Sequence, residues 1–136
     1  RSNHYRGTAE KPGLVLGLER GGSCQGVAFH VAGADGARVL DYLRERELVT
    51  NVYKERFVAV SLADGRREQA LTYVADPVHP QYVAGLSPAD AAMIVRRARG
   101  SSGPNVDYVL NTVQHLQAMG IRDARLETVA ECVARS

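Results

Sequence analysis

The pair Asp64-Gly65 constrains this chain more than any other feature of its sequence. It separates two β-compatible runs, Arg56-Phe57-Val58-Ala59-Val60-Ser61-Leu62 and Ala70-Leu71-Thr72-Tyr73-Val74, and its glycine can take the positive φ of a tight turn. Strands joined so closely pair antiparallel. Val58, Val60 and Leu62 alternate onto one face of the first run, the pattern of a half-covered strand. Upstream, the apolar runs Leu14-Val15-Leu16-Gly17-Leu18 and Gly26-Val27-Ala28-Phe29-His30-Val31 flank the turn signal Arg20-Gly21-Gly22-Ser23, which predicts a further hairpin.

The remaining segments read as helices. Val39, Leu40 and Leu43 recur at helical spacing after Asp35, a candidate N-cap, and predict a helix ending between Glu45 and Leu48. Ser87-Pro88-Ala89-Asp90 places a capping serine, a proline at the first helical position and a carboxylate three residues after the cap. Met93, Ile94 and Ala98 are the inward residues expected of that helix. The run Gly100-Ser101-Ser102-Gly103-Pro104-Asn105 breaks it, and Asn105 is positioned to cap a third helix with a stripe of Val109, Thr112, Val113 and Leu116, stopped at Gly120. Asp123 caps a last one bearing Leu126, Val129, Ala130 and Val133. Strands first and helices later predict an α+β domain, a small twisted sheet or barrel with helices outside it, over a doubly wound parallel sheet.

Composition narrows the class. A chain of 136 residues, 45% apolar and 24% charged, fits one globular domain spanning 1–136. No segment approaches the roughly 20 apolar residues that cross a bilayer, so no membrane partner is expected. The formal charge of +2 is too weak a field to indicate nucleic acid or anionic lipid. Cys24 and Cys132 stand far apart with no C-x-x-C spacing, and His4, His30, His79 and His115 show no H-x-x-x-H spacing. No disulfide framework or metal is therefore inferred, and a reducing cytoplasm is the expected location. Gly21-Gly22-Ser23 lacks the lysine of a phosphate loop, and no serine sits in a G-x-S-x-G setting.

One residue breaks its own pattern. Glu47 lies four residues after Leu43 and seven after Leu40, so it extends their inward stripe toward the helix end. A carboxylate aimed at covered space is costly unless paired or functional, and such burial raises carboxylate proton affinity toward that of a general base. Two readings are open at this point. Glu47 is a base, or it is merely structural, because the helix frays before it or because Arg44, Arg46 or Arg56 neutralises it at the rim. Tyr53 and Tyr108 are polar-tipped rings that either line a cleft or pack with wet hydroxyls.

Taken together, several stretches resemble the ChaC-like γ-glutamylcyclotransferases: His4-Tyr5-Arg6-Gly7-Thr8, Lys11-Pro12-Gly13-Leu14-Val15-Leu16, Gly21-Gly22-Ser23-Cys24-Gln25-Gly26-Val27-Ala28-Phe29, Arg46-Glu47 with Tyr53, Asp76-Pro77-Val78-His79-Pro80-Gln81-Tyr82, and Gly103-Pro104-Asn105-Val106-Asp107-Tyr108-Val109-Leu110-Asn111-Thr112. The resemblance follows the family's order over the whole chain. It implies a small antiparallel or mixed β-barrel with surrounding helices, and cytosolic cleavage of glutathione to 5-oxoproline and cysteinylglycine without metal or cofactor. It implies further that Glu47 is the catalytic general base and that Tyr53 and Tyr108 contact substrate. Family members begin with a strand and a Y-G-S-L turn whose amides grip the γ-glutamyl carboxylate; Y-G-S-L does not occur in this sequence. The chain is thus expected to be part of a longer enzyme, lacking that first strand. The resemblance leaves oligomeric state open. It also admits a non-catalytic binding or cation-transport regulatory protein of the same fold, or a cyclotransferase for other γ-glutamyl amines; the Arg46-Glu47 pair on an inward stripe favours the enzyme.

Overall fold

A computed structural model describes residues 1–48 and 50–135. Its architecture is α+β, with helices α1 (Gly33–Glu47), α2 (Pro88–Arg97), α3 (Asn105–Ala118) and α4 (Ala124–Ala134) and strands β1 (Tyr53–Ser61), β2 (Arg67–Ala75), β3 (Arg99–Gly100) and β4 (Gly103–Pro104). The chain forms two compact units: Arg1–Leu16 with the residues from Val83 onward, and Gly17–Tyr82.

The first unit holds the apolar core. Ala91, Ala92 and Val95 of α2 and Val109 of α3 pack with Leu126, Val129, Ala130 and Val133 of α4. Alanines let helix backbones approach closely, and they, rather than Met93, form the inner face of α2; Met93 lies exposed, Ile94 half-buried and Ala98 buried. The expected stripe of α3 is covered at Val109, Thr112, Val113 and Leu116, and Gly120 ends that helix at φ 71°. Two caps form as the sequence expects. The Ser87 hydroxyl accepts from Asp90 N–H at 3.1 Å, and Asp123 Oδ1 accepts from Leu126 N–H at 2.9 Å. At the other end of α4, the Arg96 guanidinium donates to the carbonyls of Cys132 and Arg135, where a cation meets the negative end of the helix. Ser87→Ala is expected to lower the unfolding free energy by about 1 kcal/mol, read from the urea midpoint at constant slope.

Two expected caps do not form. Helix α1 starts at Gly33, with Ala32 before it and no side-chain cap; Asp35 lies in its first turn and pairs with Arg38 at 2.9 Å. Asn105 does not cap α3. It is fully buried, and its amide both accepts from Leu14 N–H and donates to Leu14 C=O, each at 2.7 Å. That is the hydrogen bonding of a paired strand supplied by one side chain. The Leu14 backbone approaches so closely because residue 13 is glycine: a Cβ there would stand 2.2 Å from the Arg6 carbonyl oxygen and 2.9 Å from Asn105 Oδ1.

The second unit is built on the Asp64-Gly65 hairpin. β1 and β2 pair antiparallel from Tyr53↔Ala75 to Ser61↔Arg67, and Gly65 has φ 86°. Asp64 Oδ1 accepts from Arg66 N–H at 3.1 Å, closing the turn. The upstream hairpin expected between Leu14–Leu18 and Gly26–Val31 is absent, and no residue of 26–31 lies in a strand. Its first half is engaged elsewhere. Leu14 is held by Asn105, Leu16 N–H donates to the Tyr108 hydroxyl at 3.0 Å, and Leu18 C=O accepts from Ala75 N–H at 2.8 Å. Those partners take the Leu14, Leu16 and Leu18 groups along one edge of the segment, so that edge is closed to a hairpin partner. No described helix is long and apolar enough to cross a membrane.

Candidate functional site

The apolar spacing that shapes α1 also carries Glu47. Gly36, Val39, Leu40, Leu43 and Glu47 are the partly covered residues along that helix, while Asp41, Arg44, Glu45 and Arg46 are exposed. Glu47 thus continues the covered stripe as its last helical residue, with its side chain 31% accessible. Arg46 Nε approaches its carboxylate at 3.5 Å, a charge contact rather than an oriented hydrogen bond.

Beyond Asn51, the residue at positive φ (55°) that follows α1, the chain enters β1. Tyr53 and Glu55 alternate onto one strand face, and the register sets Glu55 opposite Tyr73 and Tyr53 opposite Ala75. The Tyr53 ring lies beside Gly17, where an added Cβ would meet it at 3.5 Å. Glu55 accepts from Arg44 Nε at 2.9 Å, Arg44 Nη2 at 2.8 Å and the Tyr73 hydroxyl at 3.2 Å. These hydrogen bonds, the forked pair from Arg44 foremost, hold the Glu55 carboxyl below the ordinary glutamate range. Tyr73 is shifted upward, chiefly by burial, then by its bond to Glu55, with a smaller contribution from the charge of Glu47. At the hairpin end, Lys54 Nζ pairs with Asp76 at 2.7 Å and depresses its carboxyl.

The lowered Glu55 value has a consequence for stability. An acid held below its unfolded range contributes stability that is complete above the pH at which an unfolded glutamate titrates, about 4.3, and lost as pH falls through the folded value. Glu55→Gln is therefore expected to flatten the acid side of the stability–pH curve below about pH 5, relative to the parent. Urea denaturation at a series of pH values checks this.

Glu47 and Tyr53 belong to the same unit, and Tyr108 to the other. Within its own unit Tyr108 is well engaged: its hydroxyl accepts from Leu16 N–H, and the Arg6 guanidinium lies 5.5 Å from its ring centre. The hydroxyl proton is left to donate. Arg6 also donates to the carbonyls of Ser102 at 2.6 Å and Pro104 at 3.4 Å. A groove of about 730 Å³ beside α2, lined by Lys11, Asp90, Met93 and Arg97 among others, includes none of the three residues.

Sequence reasoning missed Glu55 and Tyr73, and it offered Arg44 as a partner for Glu47, whereas Arg44 pairs with Glu55 and Arg46 approaches Glu47. The signal was present but distributed. Arg44 shares a helix face with Glu47 at a spacing of three residues, Glu55 shares a strand face with Tyr53, and a hairpin centred on Asp64 brings Tyr73 opposite Glu55.

A model of the ChaC-like protein family matches residues 1–136. The glutathione-specific γ-glutamylcyclotransferase of Escherichia coli K12 is 32% identical over 130 residues, covering 96% of this chain and 56% of that protein. Glutathione-specific γ-glutamylcyclotransferase 1 of Homo sapiens is 33% identical over 136 residues, covering 95% and 61%. The chain thus spans little more than half the length of these relatives. A crystal structure of a yeast γ-glutamylcyclotransferase specific to glutathione superposes with a TM-score of 0.81 at 19% identity, covering 98% of this chain and 80% of the yeast one. The fold is the one that structure has.

Proposed function

We propose, on the premise that this chain belongs to the ChaC-like family, that it is the γ-glutamylcyclotransferase domain, 1–136, of a cytoplasmic enzyme that cleaves glutathione. The observation that carries the reading is Glu47, a carboxylate at the C-terminal end of the covered stripe of α1. The relatives' names supply the substrate class. The β1–β2 hairpin is read as part of the barrel expected for the family.

The chemistry follows from the placement of a base. The α-ammonium of the γ-glutamyl group must become a free amine before it attacks the side-chain amide carbonyl. The nucleophile is tethered, so closing a five-membered ring avoids the entropy of bringing two molecules together. Glu47 accepts a proton from the α-nitrogen. The C–N bond to the cysteinyl nitrogen then breaks, and Glu47 returns the proton to that departing amine. Both protons lost by the α-ammonium end on cysteinylglycine, which leaves as an ammonium at neutral pH, and no water is consumed. The tetrahedral intermediate carries an oxyanion that needs donors about 3 Å away. Tyr53, on the strand that follows Glu47, is assigned to substrate contact. Tyr108 is assigned likewise on the family motif alone.

Specificity tests the reading. The expected result is a kcat/KM for glutathione above those for γ-glutamyl dipeptides and γ-glutamylamines by at least about tenfold, a difference of about 1.4 kcal/mol in transition-state binding. A higher value for a γ-glutamylamine overturns the glutathione assignment while leaving the cyclisation; folded protein inert toward all of them favours a non-catalytic role.

A further inference from the structure

Glu55 is the meeting point of three structural elements. It sits on β1 and accepts two hydrogen bonds from Arg44 of α1 and one from Tyr73 of β2. The Arg44–Glu55 contact is forked, which fixes orientation as well as distance. Exposed ion pairs contribute little, but the Glu55 side chain is only 21% accessible, and the third donor holds its carboxylate in place.

Helix α1 has no fully buried residue. Apolar packing alone therefore holds its last turn weakly, and polar contacts to the hairpin matter more there than on a core helix. Arg44 and Glu47 stand three residues apart in that turn, neighbours on one helix face. Whatever fixes Arg44 fixes the backbone from which Glu47 projects.

We propose that Glu55 is a positioning residue: through the Arg44 fork, steadied by Tyr73, it holds the last turn of α1 on the β1–β2 hairpin and so sets the direction of the Glu47 carboxylate. The inference rests on Glu47 being the base of the proposed reaction. It agrees with the reach of Glu47's charge to the same Tyr73 hydroxyl that donates to Glu55.

The test measures steady-state 5-oxoproline release from glutathione by the product of the complete coding sequence, well below its melting midpoint. It compares the parent with Glu55→Gln, Arg44→Lys and Glu47→Gln. Glu55→Gln is expected to lower kcat about tenfold with KM within about twofold, the signature of a misplaced base rather than a weakened binding site. Arg44→Lys keeps the charge but cannot form the fork, and is expected to lower kcat in the same sense. Loss of folded protein alone lowers the active fraction and the melting midpoint together, so midpoints and active-site titration accompany the kinetics. Parental kcat in folded Glu55→Gln and Arg44→Lys, with Glu47→Gln inactive, overturns the clamp and leaves the base standing. If Glu55→Gln does not fold, folded Arg44→Lys decides in the same way. Full activity in Glu47→Gln overturns the base, and the clamp with it.

Discussion

Glu47→Gln is expected to reduce 5-oxoproline release from glutathione by about 10²- to 10⁴-fold, the usual contribution of a positioned general base. Glutamine keeps the side chain's length and shape but cannot take the proton of the α-ammonium. Glu47 is partly accessible at the end of α1 and contributes nothing to the apolar core, so far-UV circular dichroism and the melting midpoint should stay near those of the parent. The effect should fall on kcat, with KM for glutathione little changed, because the group acts on a proton in flight. Retention of most activity in folded Glu47→Gln removes Glu47 from the role.

Asn105→Leu is expected to produce the largest loss of stability, about 4 kcal/mol. The substitution strands two part-buried backbone groups, the N–H and C=O of Leu14, that the fully buried Asn105 amide now satisfies, and each costs about 1–3 kcal/mol when left unpaired. Set against a total of about 5–15 kcal/mol for a domain, this is a large fraction. Asn105→Asp is expected to fare no better, since it keeps the acceptor for Leu14 N–H, loses the donor for Leu14 C=O and places a carboxylate where nothing is exposed. Urea denaturation measures the loss, and amide exchange at Leu14 should rise with it. The consequence extends to Tyr108, because the segment that Asn105 holds also carries the Leu16 N–H that donates to the Tyr108 hydroxyl. A loss below 1 kcal/mol contradicts the pairing.

These two residues mark how far the sequence reveals the molecule. Asp64-Gly65, the Ser87 and Asp123 caps and the inward face of α4 are legible because each signal and its partner lie within one turn or one helix. The position of Glu47 at the end of the covered stripe of α1 is legible for the same reason, as a break in a single periodic pattern. Asn105 is misread as a cap because its true partner, Leu14, is 91 residues away, and nothing local distinguishes a capping asparagine from one that completes a strand. The missing upstream hairpin has the same origin: Leu14, Leu16 and Leu18 carry a strand-like pattern, but their backbone partners are Asn105, Tyr108 and Ala75. Of the inward residues expected of α2, Ala98 is buried, Ile94 half-buried and Met93 exposed, while close helix packing adds Ala91, Ala92 and Val95. Glu55 escaped notice because a charged residue in a strand reads as solvated until a helix donor and a cross-strand tyrosine meet it.

The most direct test of the account is the product balance from glutathione in H₂¹⁸O, measured by mass spectrometry with the product of the complete coding sequence. Intramolecular attack by the α-amine gives 5-oxoproline and cysteinylglycine in equal amounts, with no ¹⁸O in the 5-oxoproline, and Glu47→Gln lowers both together. Release of ¹⁸O-labelled glutamate in place of 5-oxoproline, or no cleavage by the folded parent protein, contradicts it.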